Sequence, residues 1–356
     1  MTAERRCLHG SPVSKEHMMK DKIRPLIGLQ RVPLHENIPL DTPFSVYIFP
    51  TNYCNFRCKY CAHSLPNPAF REQYGFSPET MSMEVYRAAI DQITDFPGKV
   101  KTISLTGQGE PLMNRHLPEM VAYAKERKAA NRVEFMSNGA LLNRNNSAAL
   151  VEAGLDCIRI SLQGMNSRKY RDVCGAKIDF DDFVSQIAWL YDHKKQCEVF
   201  VKIMDIALEP GEEDRFYELF SPIADRVYIE QCRPVYSGVS STEGISTQAD
   251  RYGREHKKRS VCPLCFFMLG IFPNGDVYPC ETIYRPELLG NVMQDRLVDL
   301  WNSEKMHSFQ LRQLTEGKNA NPRCALCCAP DDVSQPEDEL DEYAEELIGR
   351  LKEKWS

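Results

Sequence analysis

Short β-branched and aromatic segments alternate strictly with longer amphipathic segments through the middle of this chain of 356 residues, and this alternation most constrains its fold. The short segments predict strands at 45–49, 100–105, 133–136, 157–162, 199–203 and 226–229. The longer ones predict helices at 83–95, 117–127, 147–153, 180–193 and 212–219. Such an order indicates an α/β protein with parallel strands and right-handed crossovers.

Three cysteines follow the first predicted strand at the spacing C-x3-C-x2-C, namely Cys54, Cys58 and Cys61. Three thiolates this close together can bind three corners of one cubane iron-sulfur cluster and leave the fourth iron without a protein ligand. An open iron indicates that a substrate or cofactor supplies the last ligand. The triplet therefore predicts a cluster that takes part in chemistry.

The triplet, with Tyr60 before its last cysteine, resembles the signature of the radical S-adenosylmethionine (SAM) enzymes. The resemblance implies a 4Fe-4S cluster whose open iron is chelated by the amino and carboxylate groups of S-adenosyl-L-methionine, which the reduced cluster cleaves to a 5'-deoxyadenosyl radical. It also implies that Tyr60 places its ring or backbone against the adenine. The family's fold is a partial (β/α)6 barrel of the TIM type, which the six predicted strands match.

In parallel barrels the chemistry collects in the loops that follow the strands, and three more of these loops resemble SAM-binding segments of the family. The G-x-G-E-P segment after the second strand resembles the one that binds the SAM amino group, and its glycines let the backbone approach a ligand closely. A Ser-Asn-Gly turn follows the third strand, and the end of the fourth resembles the segment that reaches the SAM carboxylate and ribose. The SAM-binding residues predicted in this way are Tyr60, Gly107, Gly109, Glu110, Ser137, Asn138 and Ser161.

A second group of cysteines lies beyond the last predicted strand of the barrel and comprises Cys262, Cys265, Cys280, Cys324, Cys327 and Cys328. Between them, an Asn-Gly pair flanked by apolar residues predicts a tight hairpin that brings Cys280 beside Cys262. The run resembles the C-terminal extension of the SPASM and shorter twitch subfamilies, which carry auxiliary iron-sulfur clusters. From spacing alone, the two C-x2-C pairs could instead hold structural zinc.

The resemblance implies at least one auxiliary 4Fe-4S cluster. Its expected ligands are Cys262, Cys280, Cys324 and Cys327, with Cys265 and Cys328 as alternates. The full SPASM pattern continues with further cysteines, whereas Cys328 is the last one in this chain. One auxiliary cluster is therefore the expected count.

Because chemistry in a parallel barrel lies at the ends where the strands stop, position along the strands also separates structural from functional candidates among the remaining cysteines and polar residues. Cys157 and Cys197 begin their strands and are expected to be buried small hydrophobes. Cys174, expected in the loop after the fourth strand, and Cys232, after the sixth, lie toward the chemical end and are candidate hydrogen donors to a substrate radical. The candidates for the substrate pocket by position are Lys202, Asp205, Glu230 and Gln231.

These features predict four regions. Residues 1–43, with closely spaced prolines, form an extended lead-in too short for a leader-peptide-binding domain. Residues 44–250 form the barrel, 251–330 the auxiliary cluster domain, and 331–356 an acidic amphipathic helix packed on that domain. The basic stretch 251–259 is expected to be a solvated linker, with contact to an acidic or phosphorylated substrate as the alternative.

Composition limits the partners and the compartment. The net charge of -6 gives no general attraction to nucleic acid or to an anionic membrane. The start of the chain lacks the apolar core of a signal peptide, and no apolar run is long enough to span a bilayer, so we expect a cytoplasmic protein. Fourteen cysteines in a reducing compartment favour metal ligation over disulfides.

The sequence thus predicts a radical SAM oxidoreductase or epimerase. We expect it to abstract hydrogen from carbon of a small polar, sugar-like or cyclitol-like molecule, and to take its electrons from a flavodoxin-like or ferredoxin-like donor. A peptide or protein side-chain maturase of the same superfamily is one alternative. A non-catalytic iron-sulfur electron-transfer module is another, and it would not need Gly107, Gly109 or Glu110.

Overall fold

A computed structural model describes residues 21–25, 31–75, 78–246 and 248–355. Its centre is one nine-stranded sheet with the strand order β6-β5-β4-β3-β2-β1-β7-β8-β9. The strands are β1 Ser45–Ile48, β2 Val100–Ser104, β3 Ala130–Ser137, β4 Cys157–Leu162, β5 Glu198–Met204, β6 Arg226–Glu230, β7 Met268–Ile271, β8 Asp276–Tyr278 and β9 Gly290–Asn291. Strands β1 to β6 pair in parallel with their chain neighbours, which confirms the predicted α/β architecture and all six predicted barrel strands.

The five predicted helices are also confirmed, with ends that differ from the prediction by a few residues. The α-helices between β1 and β6 are Asn67–Tyr74, Met83–Ile93, Leu117–Glu126, Arg144–Glu152, Ser167–Cys174, Phe180–His193 and Glu213–Phe220. Those after β9 are Leu297–Trp301, Glu304–Glu316, Pro322–Ala325, Ala329–Asp332 and Ala344–Trp355. The remaining α-helix among the described residues is a short one, Leu34–Asn37, in the lead-in that was expected to be extended.

Two helices of the barrel region were not predicted because their sequences are strongly polar. Helix Asn67–Tyr74 ends at Gly75, whose φ of 70° places it in the left-handed region. Helix Ser167–Cys174 begins after Asn166, whose side chain accepts a hydrogen bond from the Lys169 N–H, and it ends at Gly175. These caps were the local signals for both helices, and the second one places Cys174 at a helix end instead of in a loop.

The two faces of the barrel sheet differ in chemistry. Val46 and Ile48 of β1 lie in the hydrophobic core formed with the surrounding helices. Tyr47, between them, points to the opposite face because side chains alternate along a strand. By the same alternation Lys202 of β5 and Glu230 of β6 belong to that inner face, and both are buried. The barrel thus has an apolar exterior under its helices and a polar interior.

The auxiliary region continues the barrel sheet. Strand β7 pairs in parallel with β1, from Ser45 opposite Met268 to Ile48 opposite Ile271. The predicted hairpin is present, because β8 pairs antiparallel with β7 through a turn in which Gly275 has φ of 88°. The hairpin returns Cys280 to the end of the sheet where β1 begins, whereas the triplet follows the other end of β1.

The basic stretch 251–259 is not the solvated linker expected from its sequence. Arg251 forms an ion pair with Asp332, and Arg259, which is 5% exposed, donates to the carbonyl oxygens of Pro330 and Gln335. Carboxylates within 330–341 neutralise these guanidinium groups. The pairing was not predicted because these carboxylates lie far from the basic stretch in the sequence. Lys257 and Lys258 fit the expectation because both are exposed, Lys257 to 91% in its side chain.

The C-terminal helix spans Ala344–Trp355, shorter than the predicted 331–356, because residues 331–343 form short helical turns instead. It has the predicted amphipathic character, since Leu347 and Leu351 are buried in the main core. In the lead-in, Ile23 forms a parallel bridge with Val227 of β6, and the rest of the region lies partly outside the described residues. Among the helices that are described, none is long and apolar enough to cross a bilayer. The division into four regions stays a prediction.

Candidate functional site

The loop that carries the cysteine triplet is anchored to the end of helix Ser167–Cys174. The backbone N–H groups of Arg57 and Lys59 donate to the carbonyl oxygens of Cys174 and Val173, both at 2.9 Å. The Arg57 side chain donates to the carbonyl oxygen of Cys54 at 2.8 Å. These bonds fix the path of the loop, so the three thiols occupy defined positions before any cluster is present.

The chemistry of the three thiols fits an iron-sulfur cluster. Burial raises the pKa of Cys54 to about 12, and burial also raises the pKa of Cys61. Thiols in such a place stay protonated unless a cation compensates the thiolate charge. The irons of a cluster supply that charge and bind thiolates directly, and Cys54, Cys58 and Cys61 are the residues that would hold it.

Glu110 joins the loops after β2 and β3. Its carboxylate is buried and accepts hydrogen bonds from the Ser137 hydroxyl at 2.7 Å, the Asn138 N–H at 2.7 Å and the Leu112 N–H at 3.0 Å. Three of the predicted SAM-binding residues thus form one cluster. A carboxylate has about four lone-pair positions, so one position is left for a further donor such as an ammonium group.

The same cluster reaches the triplet loop. The Glu110 N–H donates to the Tyr53 carbonyl oxygen at 2.7 Å, and the Asn138 side-chain amide donates to Asn55 at 2.8 Å. Tyr53 and Asn55 flank Cys54 in the chain. The residues predicted to hold SAM therefore also position the first cysteine of the triplet.

The two glycines of the G-x-G-E-P segment permit a close backbone approach, as their sequence predicted. A Cβ added to Gly109 would lie 2.5 Å from the carbonyl oxygens of Thr51 and Tyr53. A Cβ added to Gly107 would lie 2.0 Å from the Phe49 ring. The loop after β2 is thus packed directly on the start of the triplet loop, with no room for a side chain.

We expect Gly109→Ala to lower the free energy of unfolding by about 1–3 kcal/mol, because rigid backbone carbonyl oxygens must move away from the new methyl group. Urea denaturation followed by circular dichroism measures the change. Gly349→Ala is the matched control, because a methyl group added to Gly349 in the C-terminal helix would meet no described atom within 4 Å outside that helix. The control should gain about 0.5–1 kcal/mol, and equal values for both variants would contradict the tight packing.

Gln163, at the end of β4, contacts the triplet loop and was not singled out by the sequence. Its side-chain oxygen accepts hydrogen bonds from the Tyr60 hydroxyl and from the Cys58 thiol, the latter at 3.4 Å. Its amide donates to the carbonyl oxygen of Ser161 at 3.0 Å. Ser161 is thus adjacent to the site through its backbone, and Tyr60 has its hydroxyl engaged by Gln163 while its ring is buried.

Tyr236 and His63 complete the surroundings of Cys61, and neither had a recognisable sequence signal. The Tyr236 hydroxyl donates to the side-chain oxygen of Gln108 at 3.3 Å and lies near the Cys61 thiol. The His63 ring contacts the backbone carbonyl of Gln108. Burial lowers the pKa of His63, which favours its neutral form.

The two candidate hydrogen donors occupy different surroundings. Cys174 is buried and donates its S–H to the Tyr170 carbonyl oxygen at 2.9 Å, and its own carbonyl oxygen accepts the Arg57 N–H of the triplet loop. Cys232 packs against Tyr60 and Val173, and its backbone N–H donates to Asp205 at 2.9 Å. Cys157 and Cys197 are fully buried, as expected for thiols at strand starts.

The inner face of the barrel carries buried ion pairs. Lys202 Nζ lies 2.6 Å from Glu230 Oε2, and Arg251 approaches the same carboxylate at 3.8 Å. Burial lowers the pKa of Lys202; it would raise that of Glu230, but the two cations outweigh burial and lower it. Of the other pocket candidates, Asp205 accepts the Cys232 N–H, and Gln231 donates its N–H to the Arg251 carbonyl oxygen.

The auxiliary region has a small cavity beside the hairpin formed by β7 and β8. Its lining includes the four cysteines predicted as ligands, Cys262, Cys280, Cys324 and Cys327. Burial raises the pKa of Cys280 to about 11, so these thiols also need a compensating cation to ionise. The residues present fit an auxiliary iron-sulfur cluster, although their ligation stays a prediction.

The two alternate ligands, Cys265 and Cys328, are not among the residues that line this cavity. Cys265 is 1% exposed in the main core, and the Gln310 side chain donates to its carbonyl oxygen at 2.8 Å. Cys328 is subject to the charges of Asp332, Arg251 and Arg233, on the side of the barrel interior, and burial raises its pKa to about 12. Within the described ranges, no three His, Cys, Asp or Glu side chains converge on a point that could hold a single metal ion.

Comparison with known proteins gives two family models that match the chain. The Radical SAM superfamily model matches residues 48–219, and the model of an iron-sulfur cluster-binding domain, SPASM, matches residues 262–328. A curated relative, the GTP 3',8-cyclase of Staphylococcus carnosus, is 34% identical over 298 residues, covering 71% of this chain and 85% of the cyclase.

Two solved structures share the fold. BtrN in complex with AdoMet and 2-DOIA has a TM-score of 0.51 at 19% identity, covering 80% of this chain and 92% of BtrN. Streptococcus suis SuiB bound to precursor peptide SuiA has a TM-score of 0.59 at 14% identity, covering 86% of this chain and 78% of SuiB. At these identities the likeness concerns the fold alone.

Proposed function

The chain belongs to the radical SAM superfamily and carries a C-terminal SPASM domain, and on that premise we propose that it abstracts a hydrogen atom from carbon of a small polar substrate bound inside the barrel. Membership implies a 4Fe-4S cluster, SAM and auxiliary iron-sulfur chemistry. When bound, the first cluster and SAM supply a 5'-deoxyadenosyl radical, which is the difficult part of the reaction. The chain's own residues bind, orient and enclose the reactants.

The observation that carries the proposal is the polar inner face of the barrel. The Lys202–Glu230 ion pair and Arg251 lie on it within 4 Å of one another, and the side chains of Lys202 and Glu230 are only 5% and 3% exposed. Such a face suits a ligand with several hydroxyl, amino or acidic groups, because buried polar groups require polar partners. A sugar-like or cyclitol-like molecule meets this requirement better than an apolar one.

Around that interior, the roles divide by position. Cys54, Cys58 and Cys61 hold the first cluster, and Glu110 keeps an acceptor position for the SAM ammonium while holding Ser137 and Asn138 in place. Gln163 positions Tyr60 and Cys58. An external one-electron donor, flavodoxin-like or ferredoxin-like, supplies the reducing equivalents.

Anaerobic reconstitution, reduction and a test for 5'-deoxyadenosine separate an enzyme from a passive cluster protein. We expect SAM cleavage, and its absence from a protein with both clusters intact would contradict the proposal. Incubation with sugar-like and cyclitol-like compounds in deuterated water then separates the outcomes. Deuterium at the reacting carbon supports epimerisation with a thiol donor such as Cys232, whereas a product oxidised by two electrons without deuterium supports dehydrogenation.

A purine nucleotide is the second candidate substrate. The specific observation in its favour is the 34% identity with a GTP 3',8-cyclase over 85% of that relative. GTP therefore belongs in the same assay, and GTP-dependent turnover to a cyclised product, without turnover of the sugar-like compounds, would replace the first proposal. A set of short peptides in the same assay tests the maturase alternative.

We expect replacement of Cys262, Cys280, Cys324 and Cys327 by alanine to remove about four irons per chain, because one cubane cluster loses its ligands. SAM cleavage without substrate should persist, since the triplet is intact. Iron analysis and the 5'-deoxyadenosine assay measure the two effects. Cys265→Ala, in the same region, should keep its iron; if it lost iron and the fourfold variant did not, the ligand assignment would be wrong.

A further inference from the structure

Arg233 lies three residues beyond the end of β6 and is 7% exposed. Its Nε is buried without a hydrogen-bond partner. Within the part of the chain that the structure describes, no carboxylate forms an ion pair with its guanidinium. A guanidinium cannot lose its proton in a protein, so the positive charge remains at this buried position.

The surroundings of Arg233 belong to both cysteine sites. Its charge acts on Cys232, which packs against Tyr60 of the triplet loop. It also acts on Cys328, which adjoins the predicted auxiliary ligand Cys327. Because Cys232 precedes it directly, Arg233 lies beside the triplet loop at the end of β6, the end of the barrel at which the proposed reaction takes place.

The neighbouring cation, Arg251, differs from Arg233 because carboxylates of the chain are paired with it. Arg251 also acts on Cys328, but it has an ion pair with Asp332 and a second approach to Glu230 at 3.8 Å. Lys202 is paired with the same Glu230. Lys202 and Arg251 are thus neutralised by carboxylates of the chain, as are Arg159 and Arg226 on the same inner face, whereas the described residues supply no such carboxylate for Arg233. Burying an uncompensated charge is costly, and an anionic ligand would remove that cost.

We propose that Arg233 binds an anionic group of the substrate, a carboxylate or a phosphate, beside Cys232 at the end of β6. The inference rests on the proposed function and narrows its substrate class to anions. The planar guanidinium offers paired N–H donors that match the oxygens of either group. The carboxylate of SAM is another anion near this site, so the experiment must separate SAM from the substrate.

The test uses the full chain, anaerobically reconstituted and saturated with SAM. Inorganic phosphate and acetate are titrated separately by isothermal calorimetry into the wild type, Arg233→Gln, Arg233→Lys and Arg144→Gln. Arg144 is exposed on the helix Arg144–Glu152 and is the matched control. SAM affinity and uncoupled 5'-deoxyadenosine formation are measured for every variant without added anion.

We expect the wild type to bind one of the two anions, and Arg233→Gln to weaken that binding by about tenfold or more. Arg233→Lys should retain part of the affinity because lysine keeps the positive charge but lacks the paired N–H donors of a guanidinium. Arg144→Gln should match the wild type. The anion that binds identifies the group as phosphate or carboxylate. SAM affinity and SAM cleavage should stay within about twofold of the wild type in all variants.

Two results would overturn the inference: neither anion binding to the wild type, or equal binding by the wild type and Arg233→Gln. A loss of SAM affinity in Arg233→Gln would also overturn it, because the anion would then be the SAM carboxylate. None of these results contradicts the proposed function, which is tested by SAM cleavage and substrate turnover in the wild type. Conversely, failure to cleave SAM with normal anion binding would contradict the proposed function and not the role of Arg233.

Discussion

Replacing Cys54, Cys58 and Cys61 together by alanine is expected to abolish 5'-deoxyadenosine formation and to remove about four irons per chain. The physical reason is that no other thiol can substitute for the three. Cys174, whose carbonyl oxygen anchors the triplet loop, has its thiol held to the Tyr170 carbonyl oxygen at the end of a helix. Iron analysis, the absorbance of the cluster and chromatographic detection of 5'-deoxyadenosine measure the effect.

Cys197→Ala is the control for this experiment. Cys197 lies just before β5, fully buried and remote from both cysteine sites in the sheet order. It should keep its iron and its SAM cleavage, with at most a modest loss of stability. If the triple variant retained SAM cleavage while the control behaved as the wild type, the triplet would not be the site of radical formation.

Glu110→Ala is expected to lower the free energy of unfolding by about 3–5 kcal/mol and to prevent SAM cleavage. The substitution leaves the Ser137 hydroxyl and the N–H groups of Asn138 and Leu112 buried without their acceptor. It also removes the acceptor position proposed for the SAM ammonium. Urea denaturation of the apo protein measures the first effect, and the 5'-deoxyadenosine assay of the reconstituted protein measures the second.

Glu110→Gln should be intermediate. Its amide oxygen can still accept from Ser137 and Leu112, but its amide nitrogen would face the Asn138 N–H, which is also a donor. Glu119→Ala is the surface control, because Glu119 is half exposed in its pair with Arg87 and should change stability by less than about 1 kcal/mol. Equal stability of Glu110→Ala and the wild type would mean that the three hydrogen bonds contribute little.

The barrel could be predicted because each of its strands is a short run of β-branched and aromatic residues that can be identified locally in the sequence. β4 and the helix Phe180–His193 begin and end at the predicted residues, since their apolar patterns are strong and their ends are polar. The missed helix Asn67–Tyr74 buries only Phe70 and Tyr74, which is too few apolar positions for a periodic signal. The helix is stabilised by packing of Tyr74 against Tyr284 of the auxiliary region, and these two residues are far apart in the sequence.

The parts of the site that form a local sequence motif were predictable. The parts that depend on ion pairs or hydrogen bonds between residues distant in the sequence were not. The resemblance to the SPASM and twitch extensions was sufficient to select the four cysteines that line the auxiliary cavity. No local signal distinguished Arg233 from Arg251, because the difference between them is that Asp332 neutralises only one. Gln163 and Tyr236 were missed for the same reason: each joins the site through a long-range hydrogen bond, Gln163 with Cys58 and Tyr236 with Gln108.

The parallel pairing of β1 with β7 makes the two cysteine sites parts of a single cooperative unit of folding. The Phe49 N–H donates to the Ile271 carbonyl oxygen at 2.9 Å, so the strand that leads into the triplet is held on its outer side by the auxiliary region. A fragment without that region would expose β1 as a bare edge, open to pairing with other chains. Radical formation and the later steps of the reaction therefore cannot be separated by simple truncation of this protein.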